Sequence, residues 1–403
     1  MTMYRSIKNI PVSGKRVIVR VDYNVPFDKR TGGIADDARI KLTLPSLQYL
    51  IDQNAKIILM SHRGRPSGKI ESLSLKPIGK HLGSLLGINV PVLEDSIGDQ
   101  VIKKTHSLAP GGILLLENLR FHKEEEANDK DFAFALSLLG DYYVNEAFSV
   151  SHRAHASMES LPQLIPSVAG LLLEKEIFEL GRILRTPTKP LSLIMGGAKV
   201  SDKMNLMEKL VPLSENILVG GGMAAAFLST SGHNIGNSML EPDGELLAKK
   251  IVSIAKTTKT NLLIPQDVVT SNDISNPEFF QTVNVDSILN DQMIVDIGPQ
   301  TISSFSKILT TSKTILWNGP MGIFELDEFS NGTKKISQAI EQQAHNGSIT
   351  LLGGGSTAEA AKKFGILDKV THVSTGGGAS LQFLEGKDMP GIKHLMTDSG
   401  QHK

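Results

Sequence analysis

The chain has 403 residues, 40% hydrophobic and 21% charged, which exceeds one ordinary core and predicts two domains of about 150 to 200 residues. Its 42 basic residues balance its 42 acidic ones, so no overall field draws it to nucleic acid or to an anionic membrane surface. The absence of cysteine excludes disulfides, thiolate metal sites and cysteine nucleophiles together. No window approaches the roughly 18 apolar residues of a membrane span, and the opening MTMYRSIKNIPVSGKR has no apolar core after its charges, so a cytoplasmic protein is expected. All 11 arginines lie between Arg5 and Arg185, and beyond that point only lysine supplies positive charge. Arginine gives forked recognition of carboxylate and phosphate, whereas lysine is a mobile point charge. Different anionic ligands in the two halves would produce this split, and so would chance.

In chain order, Arg16 to Val21 is a β-rich run that ends in Asp22-Tyr23-Asn24 and stops at Pro26. Asp37 to Ile51 has helical spacing, with Asp36 and Asp37 as start signals and Arg39 in its first turn. A cation there opposes the helix dipole, which makes Arg39 locally unfavourable and a candidate for function. Lys56 to Met60 reads as a strand buried on both faces, followed by Ser61-His62-Arg63-Gly64-Arg65-Pro66. A helical Leu75 to Leu86 comes next. Ile113 to Leu116 then leads into Glu117-Asn118-Leu119-Arg120-Phe121-His122, and Glu124-Glu125-Glu126 reads as a solvated acidic face. Tyr142 to Val144 leads to Asn145-Glu146 and on to Ser151-His152-Arg153-Ala154-His155. Four times an apolar strand is followed by a loop carrying arginine or histidine.

Alternating strands and helices predict a parallel sheet, whose ligands gather at the carboxyl ends of the strands. Arg39, Arg65, Arg120 and Arg153 would then share one edge and form a basic pocket for a small phosphorylated acid. His81, His106 and His122 read as structural. The histidines are scattered, without the close helical pair and carboxylate of a metal site.

Leu171 to Leu184 is apolar on one helical stripe and is followed by Thr186-Pro187-Thr188-Lys189-Pro190, a linker signal that sets the domain boundary. The stretch Leu191 to Lys209 then reads as strand, glycine turn at Gly196-Gly197, and helix, with Lys199 and Lys203 four apart in one turn. Such a turn brings backbone N–H groups and a positive dipole end to an anion, with two cations beside it. Its bland reading is a plain turn with solvated lysines. Further strands at Asn216 to Val219, Leu262 to Pro265, Thr314 to Trp317, Ile349 to Leu352 and His372 to Ser374 follow, and most end in glycine-rich turns.

Gly220 to Ala225 and Gly353 to Ala358 both fit the G-x-G-x-x-A dinucleotide fingerprint. A dinucleotide fold needs one such turn, early, with an acidic residue about 20 positions on, so the doubling counts against it. No G-x-x-x-x-G-K-[ST] loop occurs. A nucleotide site built from several glycine turns and helix starts, with Lys199 and Lys203 added, is what remains, and Glu325 could reach ribose hydroxyls. An arginine pocket in one domain and a phosphate cradle in the other could exchange a phosphoryl group if they met and closed. No general base is needed when the acceptor oxygen is already ionised. A dinucleotide oxidoreductase and a two-domain anion-binding protein stand as the alternatives.

The stretches VDYNVP, SHRGRP, ENLRFHKEEE, SHRAHAS, GGAKVSDK, GGGMA, DIGPQT, WNGPMGIFE and STGGGASLQFLEGKDMPG together resemble the phosphoglycerate kinase family, in its order and over nearly the whole chain. The resemblance implies an α/β chain of two Rossmann-like, doubly wound parallel-sheet domains joined by a hinge helix. Residues 1–170 would bind phosphoglycerate, 171–190 would be hinge helix and linker, and 191–390 would bind nucleotide, with the tail 391–403 returning to the first domain. It implies a glycolytic monomer that moves the acyl phosphate of 1,3-bisphosphoglycerate to MgADP, giving 3-phosphoglycerate and MgATP.

Carried over by position, Asp22, Asn24, Arg39, His62, Arg65, Arg120 and Arg153 would hold phosphoglycerate, and Arg39 would also meet the group in flight. Lys199 and Lys203, with the helix starts at Gly355 and Gly378, would neutralise the transferring phosphoryl. The nucleotide would lie against Lys203, Gly220, Gly221, Gly222, Asn318, Gly353, Gly354, Gly355, Ser356 and Thr357, with Glu325 on the ribose. Tyr23, Arg63 and Glu146 are mild departures from the family pattern. Ser356 is a larger one. It stands where the family commonly has an Asp that contacts the nucleotide's Mg²⁺, so a neutral hydroxyl would be the metal ligand here and the Mg²⁺ dependence would be altered.

Overall fold

The computed structural model describes residues 4–28, 30–276, 279–395 and 397. They fall into two compact units, the first running to Phe178 and resuming at Asp388, the second spanning Glu179–Lys387. The division lies within a helix.

The first unit alternates β1 (Arg16–Arg20), α1 (Ala38–Asp52), β2 (Lys56–Met60), α2 (Lys76–Leu86), α3 (Asp99–His106), β3 (Ile113–Leu115), α4 (Lys123–Glu126), α5 (Lys130–Ser137), β4 (Tyr142–Asn145) and β5 (Ser167–Ala169), and leads into α6 (Leu171–Arg185). Its five strands are all parallel, in the order β3-β2-β1-β4-β5. The apolar runs explain this placement. Val17, Val19, Ile57, Leu59, Ile113 and Leu115 pack with Ile40, Leu47, Leu50, Ile78 and Leu82 of α1 and α2. The intervening Ile18, Ile58 and Leu114 are also buried, so both faces of the sheet are covered. The strand order turns back at β1, and because all five strands are parallel the loops after β1, β2, β3 and β4 lie at one carboxyl edge.

The second unit holds β6 (Leu191–Met195), α7 (Met204–Leu210), β7 (Asn216–Val219), α8 (Ala224–Thr230), α9 (Gly244–Thr258), β8 (Asn261–Leu263), β9 (Asp267–Ser271), β10 (Phe280–Asn284), β11 (Met293–Ile297), α10 (Pro299–Leu309), β12 (Thr314–Asn318), α11 (Asn331–His345), β13 (Ile349–Leu352), α12 (Gly355–Lys363), β14 (His372–Val373) and α13 (Gly378–Leu384). Six strands form a parallel sheet ordered β14-β13-β12-β6-β7-β8. Ile194, Leu218, Ile315, Trp317 and Leu352 pack there with Phe305, Leu309, Ile336, Ile340 and Ala360.

Sequence periodicity did not reveal the second sheet of this unit, in which β9 pairs antiparallel with β10 and β11. The strand expected at Leu262 to Pro265 is β8, shifted to Asn261–Leu263, and β9 follows at Asp267, whose carboxylate accepts the Gln300 and Thr301 N–H groups at the start of α10. The neighbours Val268 and Val269 enter different apolar clusters, as alternation along a strand requires.

The short helix α14 (Pro390–Lys393) belongs to the first unit. There the Gly391 N–H donates to Ser151 O at 2.8 Å and its carbonyl accepts from Asn145 Nδ2 at 2.7 Å. Met396 and residues 398–403 of the expected tail lie outside the described residues.

Glu146 ties α1 to the start of α6. Its fully buried carboxylate accepts the Leu172 and Leu173 N–H groups at 3.0 and 3.1 Å and the hydroxyl of Ser46, which itself accepts from Leu171 N–H. Burial is the largest influence on this group and raises its pKa to about 7, against the lowering effect of those hydrogen bonds. A raised carboxylate pKa stabilises the fold most below the unfolded value, and that contribution is lost as pH rises through the folded one. From 4.5 to about 7 this corresponds to about 3 kcal/mol. The urea-unfolding stability of the parent minus that of Glu146→Gln should therefore fall between pH 4.5 and 8. A flat difference would show that the carboxylate ionises normally.

Candidate active site

At the carboxyl edge of the first sheet the loops after β1 to β4 converge. The loop after β1 brings Asp22, whose Oδ2 accepts from Arg39 Nη1 at 2.5 Å and from the Ser149 hydroxyl. Arg39 sits one residue inside α1, where the Asp36 side chain already accepts the Ala38 N–H at 2.9 Å. The Asp22 carboxylate thus offsets the conflict of Arg39 with the helix dipole. Asn24 Oδ1 accepts the Gly64 N–H at 3.0 Å, joining the loop after β1 to the loop after β2. His62 is buried, with Nε2 4.0 Å from Asp22 Oδ1. Burial first, then the charges of Arg20, Arg120 and Arg153 and the neighbouring His155, hold its pKa well below the usual imidazole value, so His62 is neutral.

Arg120 is buried and donates through Nη1 to Gly64 O at 2.7 Å, with Nη2 3.0 Å from Glu126 Oε1. Its Nε has no partner. Arg65 is exposed, and Arg153 makes only a 3.4 Å contact with His152 Nε2. Neither has a carboxylate partner among the described residues, so their charge is available to an anion. The loops are framed by Glu117, buried and capping α2 through the Leu75 N–H at 2.8 Å, and by Asn118, which bonds the Arg63, Leu73 and Arg120 backbones.

Glu125 overturns one sequence expectation. Rather than lying on a solvated acidic face, it is fully buried and accepts the Ser157 N–H and hydroxyl at 2.9 and 2.5 Å. A run of three glutamates looks solvated locally, but only a tertiary contact reveals which one has a buried donor. The histidines expected to be structural do have protein partners: His81 with Asp37, His106 with Arg16 and Ile102 O, and His122 with Asp95. A groove of about 960 Å³ between residues 91–98 and α3, lined by Val92, Leu93, Ile97 and Val101, contains none of the residues expected to bind phosphoglycerate or nucleotide.

In the second unit the turns after β6, β7, β12 and β13 also converge. Lys203 Nζ donates to the Asn318 carbonyl at 2.8 Å and to the Asn318 side-chain oxygen. Asn318 Nδ2 in turn donates to Gly353 O at 2.9 Å, and Thr357 Oγ1 accepts the Gly319 N–H at 2.7 Å. Burial lowers the pKa of Lys203 to about 8. Lys199 and Lys203 do not share a helical turn. Residues 201–203 form a single 3₁₀ turn before α7, with Ser201 held by Glu241, and Lys199 is left exposed ahead of it.

The glycines divide into two kinds. A Cβ on Gly196 would come within 2.0 Å of Pro320 O, and one on Gly221 within 2.6 Å of Gly197 N, so these glycines let three turns pack backbone to backbone. At Gly355 and Gly378 nothing lies within 4 Å, which leaves the starts of α12 and α13 open to a ligand. Glu325 and Ser356 are exposed. Residues 353–357 contain no carboxylate, and among the described residues no group of three or more His, Asp or Glu could hold a metal ion. That donor set does not fit Mg²⁺ held by the protein, although it is compatible with a metal carried in on nucleotide phosphates.

The phosphoglycerate kinase family model matches residues 7–387. The chain belongs to the phosphoglycerate kinase family. It is 44% identical to phosphoglycerate kinase of Pelotomaculum thermopropionicum over 97% of this chain and 99% of the relative. It is 46% identical to that of Dictyoglomus turgidum over 96% and 97%. The solved structure of phosphoglycerate kinase from Coxiella burnetii superposes with a TM-score of 0.90 at 36% identity, covering 97% of this chain and 98% of that one. The enzyme from Pyrococcus horikoshii gives 0.81 at 32% identity with the same coverage.

Were nucleotide phosphates to reach Lys203, its pKa of about 8 would have a measurable consequence. Phosphate oxygens favour the ammonium form, so nucleotide binding at pH 8 should take up as much as about half a proton. Calorimetry in buffers of different ionisation enthalpy should detect this uptake, and Lys203→Met should abolish it.

Proposed function

We infer that the chain catalyses its family's glycolytic reaction, reversible transfer of the acyl phosphate of 1,3-bisphosphoglycerate to ADP, giving 3-phosphoglycerate and ATP. The observation that carries this reading is that one chain holds two anion-ready edges of different kind. One is lined by Arg39, Arg65, Arg120 and Arg153, the other by Lys203, Asn318 and the open starts of α12 and α13. Asp22, Asn24, His62 and these arginines hold phosphoglycerate, with the neutral His62 as a donor. Lys199, Lys203, Gly355 and Gly378 meet the transferring phosphoryl; Gly220 to Gly222, Asn318, Glu325 and Gly353 to Thr357 hold the nucleotide.

Residues 1–170 with the returning tail act as the phosphoglycerate domain, 171–190 as the hinge, and 191–390 as the nucleotide domain. Closure about the hinge aligns donor and acceptor and excludes water. The acceptor carboxylate is already ionised, so neutralisation of charge replaces base catalysis. The working form is a cytoplasmic monomer without nucleic-acid or membrane partners, in keeping with balanced charge and with the absence, among the described residues, of a helix long and apolar enough to cross a membrane.

Turnover of 3-phosphoglycerate with ATP, followed by coupled reduction of the acyl phosphate across a Mg²⁺ titration, tests the reading directly. Activity is expected; folded protein that binds ATP but turns over at no Mg²⁺ concentration would make this an anion-binding relative. Arg39→Ala should lower kcat about 100-fold or more while leaving ATP affinity nearly unchanged. Equal losses in both would remove Arg39 from the transfer step. Mg²⁺ enters as part of MgADP or MgATP, with Ser356 offering only a neutral hydroxyl. Ser356→Asp should lower the Mg²⁺ concentration at half-maximal activity and tighten MgATP binding. An unchanged Mg²⁺ profile would show that position 356 does not contribute to metal dependence.

A further inference from the structure

Outside the residues already given a role, the first unit contains a buried arginine aimed at one of them. Arg20, the last residue of β1, is fully buried. Its Nε donates to Ser157 Oγ at 2.9 Å, its Nη1 to Val21 O at 2.5 Å, and its Nη2 lies 3.2 Å from His62 Nδ1. Ser157 is anchored by its N–H and hydroxyl to the buried Glu125 carboxylate, which also lies 3.9 Å from Arg20 Nη2 and 3.9 Å from His155 Nδ1. One buried carboxylate therefore holds the serine that holds the arginine that faces the histidine.

The guanidinium has only donors and stays protonated in proteins. The ring nitrogen facing it must therefore offer a lone pair, so His62 Nδ1 is unprotonated and the proton sits on Nε2. That nitrogen is 4.0 Å from Asp22 Oδ1, beyond hydrogen-bonding distance, which leaves the N–H free for a ligand. We propose that Arg20, held by Ser157 and Glu125, is a positioning residue that locks His62 in the Nε2–H tautomer and so presents a donor rather than a lone pair to the bound anion. The alternative tautomer would set a lone pair against phosphoglycerate oxygens and an N–H against a guanidinium. For the identity of the anion the proposal rests on the function inferred above; the tautomer lock does not.

Imidazole ¹⁵N spectra of the ligand-free protein test it. His62 should show a pyridine-type Nδ1 and a pyrrole-type Nε2, unchanged between pH 5.5 and 8. Arg20→Met should mix the tautomers and raise KM for 3-phosphoglycerate about tenfold, as loss of an oriented hydrogen bond to a charged group implies, with KM for ATP unchanged. Because Arg20→Met removes the partner of a buried carboxylate and could unfold the unit, Ser157→Ala is the second variant. It keeps the guanidinium but frees its Nε, and should shift the tautomer ratio and KM in the same direction by less. A protonated Nδ1 in the parent, or a tautomer unmoved in whichever variants fold, overturns the proposal. A locked tautomer whose Nε2–H resonance ignores 3-phosphoglycerate upholds the lock and removes His62 from the substrate site.

Discussion

Like charges brought to one sheet edge repel one another, and the first unit is organised around holding them there. Arg20, Arg39 and Arg120 are each given a carboxylate, Glu125, Asp22 and Glu126 respectively. Arg65 and Arg153 are given none among the described residues. Buried charge is tolerated only when it is paired or hydrogen-bonded, so the compensated arginines can be rigid while the uncompensated ones wait for an anion. The same crowding keeps His62 and His155 neutral, with burial the larger cause and the neighbouring guanidinium groups the next. The positive edge thus gains neutral donors without adding to its own repulsion.

The second unit is built differently. Beyond Arg185 it has no arginine, and its candidate site is mostly backbone: turns packed closely through glycine, two helix starts left open, and one lysine pressed against Asn318. Partial desolvation makes the Lys203 ammonium costly, a cost that a phosphate group at this position would offset. Phosphoryl transfer suits this division of labour. Recognition of the acid calls for forked, directional contacts, and recognition of the nucleotide for N–H groups and movable charge.

Much of the candidate site's placement was legible because its residues sit in loops directly after apolar strands, where a parallel sheet must deliver them. Arg39 stood out because it broke a local rule, and its salt bridge to Asp22 supplies the reason. The supporting residues were not legible. Arg20 looks like one more strand residue and Glu125 like part of a solvated run. Only the fold brings a residue from β1, one from α4 and one from the turn at Ser157 into hydrogen-bonding distance. The single turn proposed for Lys199 and Lys203 failed for a related reason. Glu241, forty residues on, holds Ser201 and delays the helix.

By itself the sequence determined the two parallel α/β sheets, the family, and which loops carry the charge, because apolar period and strand-end position are local properties of the chain. The tertiary structure alone decided which arginines are compensated, which glycines are packed and which are open, where the antiparallel β9 to β11 excursion leaves the main sheet, and which nitrogen of His62 carries its proton. These are properties of pairs of residues far apart in the chain, and burial sets their energies only once the fold has removed the water between them.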